Sequence, residues 1–273
     1  NAGGHDVDDI AAIIPCIKAM VSTSWKHKQA GRKMVLKIHC ERKFTSLGRR
    51  IAIDDRERVA VERDVEFILK EVPEAVIEIC HVSDGDTIEA IRYYQKQGFC
   101  VTGEISPHYT EYTNDDLYED GYDGTGFNSH RFCLPKFKSA KDRRIILDAM
   151  VSGESWWHYG DDGACHDDNP VLEKGVKINV HGITLGGQTQ LPEAVVSYTL
   201  EQFAAADQLR HAQAFLVDNA RDLYGFQTHE EERTVFFYQP WIVPEVHSKS
   251  LLDKTSNCKV AMGGQERHFK AAL

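Results

Sequence analysis

Residues 156–168 (WWHYGDDGACHDD) place carboxylates, a thiol and an imidazole directly after an apolar run. Carboxylates such as Asp162 and imidazoles such as His166 can transfer protons or hold a metal ion. In parallel α/β sheets, ligands bind beyond the carboxyl ends of the strands, and an apolar strand that ends in these residues fits that plan. A strand followed by a solvated acidic turn explains the same pattern, so this motif alone leaves both interpretations open.

Two other apolar runs also end in an imidazole. Residues 34–38 are followed by His39, and residues 75–80 are followed by His81. If these runs are strands of one parallel barrel, their carboxyl ends meet at one mouth, and His39, His81 and Asp162 can converge there. Imidazole and carboxylate are ligands of catalytic zinc, which keeps an open position for water. The pattern therefore predicts a metal site, with a hydrogen-bonded structural role for each histidine as the alternative.

The segments that must position these residues alternate between helix and strand patterns. Alternation of this kind predicts a parallel sheet with right-handed crossovers. Residues 234–243 predict a small flanking hairpin, and the residues from 247 onward are expected to form a polar tail. The predicted helices are 7–24, 55–71, 86–97, 140–151, 191–205 and 212–224, and the predicted strands are 34–38, 75–80, 99–105 and the run before Asp162.

Composition narrows the classes of function. The 273 residues carry a formal net charge of -10, whereas sequence-independent binding to nucleic acid needs a basic surface. The longest apolar run, residues 10–21, is too short to cross a bilayer. The seven cysteines are scattered without a C-x-x-C pair, which indicates reduced thiols in a cytoplasmic compartment. We therefore expect a cytoplasmic protein with small-molecule or protein partners, and neither nucleic acid nor a membrane among them.

Blocks of sequence follow one another in a recognisable order from residue 1 to about residue 226. They are NAGGHDVDDIAAIIP, VLKIHCE, EICHVSDGDTIEAIR, VTGEISPHYT, FCLPKFKSAKDRR, YGDDGACH and GGQTQLPEAVVSY. Together they resemble the class II, bacterial homodimer type, dihydroorotases of the amidohydrolase superfamily. Another cyclic amidohydrolase, such as a hydantoinase, fits the FCLPKFK and GGQTQLP blocks less well.

The resemblance implies an enzyme of pyrimidine biosynthesis that interconverts dihydroorotate and N-carbamoyl-L-aspartate as a homodimer. In that family a TIM (β/α)8 barrel holds two zinc ions, and a bridging hydroxide attacks the ring amide. By motif, His39 and His81 resemble the two imidazoles of one metal. Asp162 resembles the catalytic carboxylate that binds the other metal and shuttles the proton. The positions that resemble substrate-binding residues are His166, Leu134 and Gly187.

The resemblance also implies that the chain supplies only about strands five to eight of the barrel. In the family, an H-x-H pair on the first strand and a carboxylated Lys on the fourth complete the metal site, and both would precede residue 1. Residues 1–246 would form the barrel part and residues 247–273 the polar tail. Dihydroorotase activity is then expected of a longer protein, and this chain alone is expected to be inactive. The alternative is a truncated, non-catalytic homologue that acts through protein association.

Several positions differ from the family pattern. Asp161 stands where the family has Thr, Gly163 where it has Ser, Cys165 where it has Pro and Gln190 where it has Asn. A second carboxylate at Asp161 predicts a raised pKa for one of the pair, because like charges repel. Cys165 beside His166 suggests a nucleophile with its base, although adjacent loop residues rarely face each other. His108, in SPHY, is predicted to be structural and not a metal ligand.

Overall fold

A four-stranded parallel sheet, in the order β1, β2, β3, β4, lies at the centre of the fold. The computed structural model of the chain describes residues 9–29, 34–118, 131–163, 192–226, 235–242, 246–248, 257–259 and 265–272. The strands are β1 (Leu36–Ile38), β2 (Val76–Ile79), β3 (Cys100–Ile105) and β4 (Trp157–Tyr159). Each pairs in parallel with the next strand of the sheet, as the alternating pattern predicted. Among the described residues, β1 and β4 are the edges of an open sheet.

Helices connect these strands. They are α1 (Ile10–Gln29), α2 (Arg56–Ala60), α3 (Glu66–Glu71), α4 (Gly85–Lys96), α5 (His108–Glu111), α6 (Ala140–Val151), α7 (Pro192–Ala205) and α8 (Asn219–Tyr224). The helix predicted at 140–151 matches α6. The helices predicted at 55–71 and 212–224 each contain a π-helical segment, at Val61–Val65 and Ala214–Asp218. None of the helices in the described part of the chain is long and apolar enough to span a bilayer.

Capping residues determine where α4 and α6 begin. The Asp84 side chain accepts a hydrogen bond from the Asp86 N–H at 2.8 Å, which satisfies a free donor at the start of α4. Ser139 and Asp142 form a capping box at the start of α6. Asp142 Oδ1 also accepts from the Gly85 N–H at 3.1 Å. This shared acceptor holds the two helix starts together, close to the segment that carries His81.

The sheet has one apolar face and one polar face, because side chains alternate along a strand. The apolar face packs against α4, since the Cβ position of Gly103 meets the Trp157 ring and Ile91 of that helix. Its buried members include Ile77, Ile79, Val101, Ile105 and Trp157. The opposite face, called the inner face below, carries Lys37, Glu78, Thr102, Glu104 and His158 in register.

Two antiparallel strand pairs lie outside this sheet in the described part of the chain. β5 (Val235–Ile242) pairs antiparallel with β8 (Glu266–Ala272), and β6 (Val246–Ser248) pairs with β7 (Asn257–Lys259). The described part of residues 234–243 forms one strand, β5, instead of the predicted hairpin, and its partner β8 lies in the stretch expected to be a polar tail. Arg267 of β8 is buried, where it pairs with Glu201 at 3.2 Å and stacks 5.0 Å from the Tyr198 ring. Local composition does not reveal such a strand, because its burial depends on distant partners in α7.

Candidate functional site

His39 and His81 lie together at the carboxyl ends of adjacent strands. The Cys80 N–H donates to Ile38 O at 3.0 Å, so strand pairing continues up to the two imidazoles. His39 Nδ1 and His81 Nε2 are 2.9 Å apart, and the rings meet edge to face with centroids separated by 4.6 Å. His81 has a φ of 38°, a left-handed conformation that is uncommon for a residue other than glycine. The two nitrogens face one point, where they either share a proton or bind a common ion.

The surroundings of His81 keep its imidazole neutral. Burial, and then the neighbouring His39, lower the pKa of His81 to about 3. Its Nδ1 atom has no hydrogen-bond partner among the described residues. His39 Nε2 lies 3.0 Å from Glu41 Oε2, and that carboxylate is almost fully buried. Sequence reasoning missed Glu41, whose signal was an acid two residues beyond a strand-end histidine. Neutral imidazoles oriented by a carboxylate are the form in which histidine binds metals.

Asp162 follows β4 and also has a left-handed backbone, with a φ of 49°. Burial, followed by the charges of Glu104 and Asp161, raises the pKa of Asp162 to about 6, while His39 opposes the increase. The effect of Asp161 has the sign that like-charge repulsion predicts. Asp162 does not join the two imidazoles in a cluster of donor atoms within 4.8 Å among the described residues. The assignment of Asp162 to a different metal from the histidine pair, which the resemblance implies, stays a prediction.

The predicted substrate-binding residues fall only partly within the described chain. Leu134 lies between β3 and α6, where it packs against the core. Tyr109 anchors this segment, because its hydroxyl donates to Pro135 O at 2.6 Å. His166 and Gly187 lie outside the described residues, as does Cys165.

His108 lies in the first turn of α5 and is buried among aromatic rings. Its ring centroid is 4.3 Å from that of Tyr109 and 6.0 Å from that of Phe137. Burial lowers the pKa of His108 to about 3, and neither ring nitrogen has a hydrogen-bond partner among the described residues. Packing of this kind suits the predicted structural role, which stays a prediction.

The inner face carries a second group of polar side chains, which sequence reasoning did not identify. Lys37 Nζ lies 2.8 Å from Glu78 Oε1 and 3.2 Å from Glu104 Oε2. The Tyr224 hydroxyl donates to the other oxygen of Glu78. The available signal was a single acid inside each of the apolar strands VIEI and CVTGEI. We define the inner-face cluster as Lys37, Glu78, Cys80, Glu104, His158 and Tyr224.

Opposite charges compensate one another in the inner-face cluster. Burial alone would raise the pKa of Glu78, but its contacts with His158, Lys37 and Tyr224 outweigh that effect and lower the pKa to about 2. Burial raises the pKa of Glu104. The two carboxylates in turn raise the pKa of Lys37 against the effect of burial. The ammonium group of Lys37 therefore lies between the carboxylates of Glu78 and Glu104 on the inner face of the sheet.

No family model matches the chain. The similar curated proteins are dihydroorotases, which confirms the resemblance drawn from the sequence blocks. The enzyme of Buchnera aphidicola subsp. Acyrthosiphon pisum is 25% identical over 86% of this chain and 58% of its own length. The mitochondrial dihydroorotase of Oryza sativa subsp. japonica is 27% identical over 72% of this chain and 44% of its own length. The chain thus spans about half the length of the curated relatives that it matches.

Solved structures give the same fold. Dihydroorotase from Saccharomyces cerevisiae, in complex with 5-fluoroorotic acid, has a TM-score of 0.78 at 22% identity, over 99% of this chain and 69% of that one. Dihydroorotase from Campylobacter jejuni has a TM-score of 0.75 at 22% identity, over 97% and 66% of the two chains. L-Hydantoinase from Arthrobacter aurescens has a TM-score of 0.66 at 15% identity, over 99% and 60%. The neighbours are dihydroorotases and hydantoinases of the amidohydrolase superfamily.

Proposed function

We propose that this chain carries part of the active site of a dihydroorotase-like cyclic amide hydrolase, which interconverts dihydroorotate and N-carbamoyl-L-aspartate in pyrimidine biosynthesis. The sheet would correspond to strands five to eight of a (β/α)8 barrel. Residues outside the 273 would complete the metal site, as the H-x-H pair and bridging Lys do in the family. A cytoplasmic homodimer is part of the same proposal.

The observation that carries the proposal is the approach of His39 Nδ1 and His81 Nε2 to 2.9 Å at the ends of neighbouring parallel strands. The donor set fits a zinc ion, because both imidazoles have one nitrogen at the shared point and His81 is neutral. His39 and His81 would hold one zinc ion, and Asp162 would bind the other ion of a binuclear site. Bound zinc supplies Lewis-acid polarisation of the amide carbonyl and lowers the pKa of water toward neutrality.

Asp162 would move the proton. The carboxylate of Asp162, whose pKa of about 6 a bound cation would lower, is largely ionised at neutral pH and would accept a proton from the attacking water. A bond forms between the water oxygen and the carbonyl carbon, and the carbon–nitrogen bond of the ring then breaks. The proton held on Asp162 passes to the leaving ring nitrogen. The reverse sequence closes the ring.

Substrate recognition rests on residues that the resemblance supplies. His166 would pair with the carboxylate of dihydroorotate, and backbone groups around Leu134 and Gly187 would bind the ring. The yeast relative is described in complex with 5-fluoroorotic acid, an orotate-type acid, which supports this substrate class. Leu134 is well placed to present its backbone, because Tyr109 holds the next residue of that segment.

A second candidate function is non-catalytic association. Among the described residues, β1 pairs on one side only, with β2. An unpaired strand edge is a ready template for another chain. A homologue without a complete metal site would then act through this edge.

Turnover distinguishes the two candidates. We would take the part of the Campylobacter jejuni dihydroorotase that has no match in this chain and fuse it in front of residue 1. The fusion would be loaded with zinc, and conversion of dihydroorotate would be followed by ultraviolet absorbance. We expect turnover that falls about 100-fold or more in Asp162→Asn. Asp148→Asn, at an exposed residue that pairs with Arg144, is the matched control and should keep full activity. A folded, zinc-loaded fusion without turnover would favour the non-catalytic candidate.

A further inference from the structure

The inner-face cluster has the donor types of a metal site that is separate from the histidine pair. Ligand atoms of Glu78, Cys80 and Glu104 all lie within 4.8 Å of one another. Ligand atoms of a tetrahedral zinc site lie ~2.0–2.3 Å from the ion, and therefore roughly 3.3–3.8 Å apart. The three donors need to approach one another by about 1 Å, a movement that small side-chain rotations provide.

A fourth donor, His158, lies beside these three residues, outside the set whose ligand atoms are all within 4.8 Å of one another. The His158 side chain is 3% exposed, and its Nε2 atom lies 3.4 Å from Glu78 Oε1. Among the described residues, this nitrogen has no hydrogen-bond partner. A buried polar atom left without a partner costs about 1–3 kcal/mol. An ion held by Glu78 would replace the 3.4 Å contact between Glu78 and the His158 nitrogen with a closer bond.

We propose that Glu78, Cys80, Glu104 and His158 form a divalent-metal site of the zinc class on the inner face of the sheet. Lys37 is the internal competitor, since its ammonium bridges the same two carboxylates at 2.8 Å and 3.2 Å. The Lys37 side chain is 49% exposed, so the ammonium can move into solvent when an ion binds. The Cys80 thiol then loses its proton to solvent as the sulfur–metal bond forms.

The donor set favours zinc over the common hard cations. Magnesium and calcium prefer oxygen ligands, whereas a thiolate and an imidazole suit zinc and cobalt. None of these four residues is a member of the His39–His81 pair, and neither site needs the other's side chains. The site therefore has readouts that do not depend on turnover.

Protection of Cys80 from alkylation tests the proposal on the unmodified chain. Iodoacetamide labelling would be followed by mass spectrometry, with Cys16 as an internal control because it is exposed on α1. We expect Zn²⁺ to slow labelling of Cys80 by about tenfold or more and to leave Cys16 unchanged, with no effect of Mg²⁺. An unchanged rate at Cys80 in saturating Zn²⁺ would overturn the proposal.

Two charge variants test the roles of Lys37 and Glu104 in this site. Lys37→Gln removes the competitor, so the Zn²⁺ concentration for half-protection of Cys80 should fall about tenfold. Glu104→Gln removes a ligand and should raise that concentration about tenfold or more. Lys70→Gln, on the surface of α3 where Lys70 pairs with Glu66, should change nothing. Identical half-protection in the wild type and in Lys37→Gln, with both folded by circular dichroism, would contradict the proposed competition.

Cobalt spectroscopy gives a second, independent measurement on the wild-type chain. Co²⁺ bound by a thiolate produces a sulfur-to-metal charge-transfer band in the near ultraviolet, and the His39–His81 pair contains no sulfur. We expect this band in the wild type and in Cys16→Ser, and its loss in Cys80→Ser. A band that persists in Cys80→Ser, or no band in the wild type, would contradict the assignment of Cys80 as a ligand.

Discussion

Gly103→Ala should destabilise the sheet where β3 pairs with β4. A Cβ atom at this position would lie 2.6 Å from Trp157 Cζ3, 2.9 Å from Trp157 Cε3 and 3.1 Å from Ile91 Cδ1. The Trp157 ring is fully buried, so it has little room to move. Overpacking of a close-packed core costs about 1–3 kcal/mol. We therefore expect the free energy of unfolding, measured by urea denaturation, to fall by about 2 kcal/mol.

Trp157→Phe shows whether the Trp157 ring causes that loss. Alone, this substitution leaves a cavity and removes the hydrogen bond that Trp157 Nε1 donates to Glu154 Oε2 at 2.7 Å, at a cost of about 1–3 kcal/mol. In the double variant, the methyl group that Gly103→Ala introduces fills space that the smaller ring vacates. The combined loss should therefore be about 1 kcal/mol smaller than the sum of the single losses. Strictly additive losses, or a Gly103→Ala variant as stable as the wild type, would refute the packing of Trp157 against β3.

Three further substitutions test a buried carboxyl group, a helix cap and a buried ion pair. Burial raises the pKa of Glu57 from 4.5 to about 7, so its contribution to stability is full below pH 4.5 and is lost as the pH rises through 7. The difference in the free energy of unfolding between the wild type and Glu57→Gln should fall by about 3 kcal/mol across this range in urea denaturation, because the other titrating groups are common to both chains and cancel. Ser139→Ala removes the cap of α6 and should cost about 1 kcal/mol by the same measurement. Arg267→Met removes the buried guanidinium that pairs with Glu201 and should lower the free energy of unfolding by about 2–4 kcal/mol.

Each of these three substitutions has a matched control at an exposed residue. Glu62→Gln, at an exposed carboxylate that pairs with Arg58, should keep the wild-type pH dependence. Ser22→Ala, at an exposed residue of α1, should leave the stability within about 0.5 kcal/mol of the wild type. Arg144→Met, at an exposed ion pair, should do the same. A difference between the wild type and Glu57→Gln that does not change with pH would mean that Glu57 is ionised in the folded chain.

Much of the architecture follows from local sequence patterns. Apolar runs of the right length predict all four parallel strands, and the helical pattern at 140–151 predicts α6 at its observed bounds. The strand-end histidines follow from the same reasoning, because parallel strands end at one edge of a sheet. These features depend on residues close together in the sequence.

Features that depend on distant partners were not predictable in this way. β8 looks like polar tail because the partners of Arg267 lie more than sixty residues away in α7. The acids Glu78 and Glu104 look like isolated exceptions within apolar strands, and only the register of β1 to β4 brings them to Lys37 and His158. Glu41 is identified as part of the site by its 3.0 Å contact with His39, and the sequence alone does not show that contact.

Metal binding at the ends of β1 and β2 is tested most directly by nuclear magnetic resonance of the histidine ring nitrogens. The chain, with isotope-labelled histidine, would be titrated with Zn²⁺ after assignment of His39 and His81. Coordination should shift the resonances of His39 Nδ1 and His81 Nε2 together and leave those of His211, a surface neighbour of Arg210, unchanged. Unchanged resonances of both residues in saturating Zn²⁺ would show that the 2.9 Å approach is a structural hydrogen bond, and would contradict the proposed metal site.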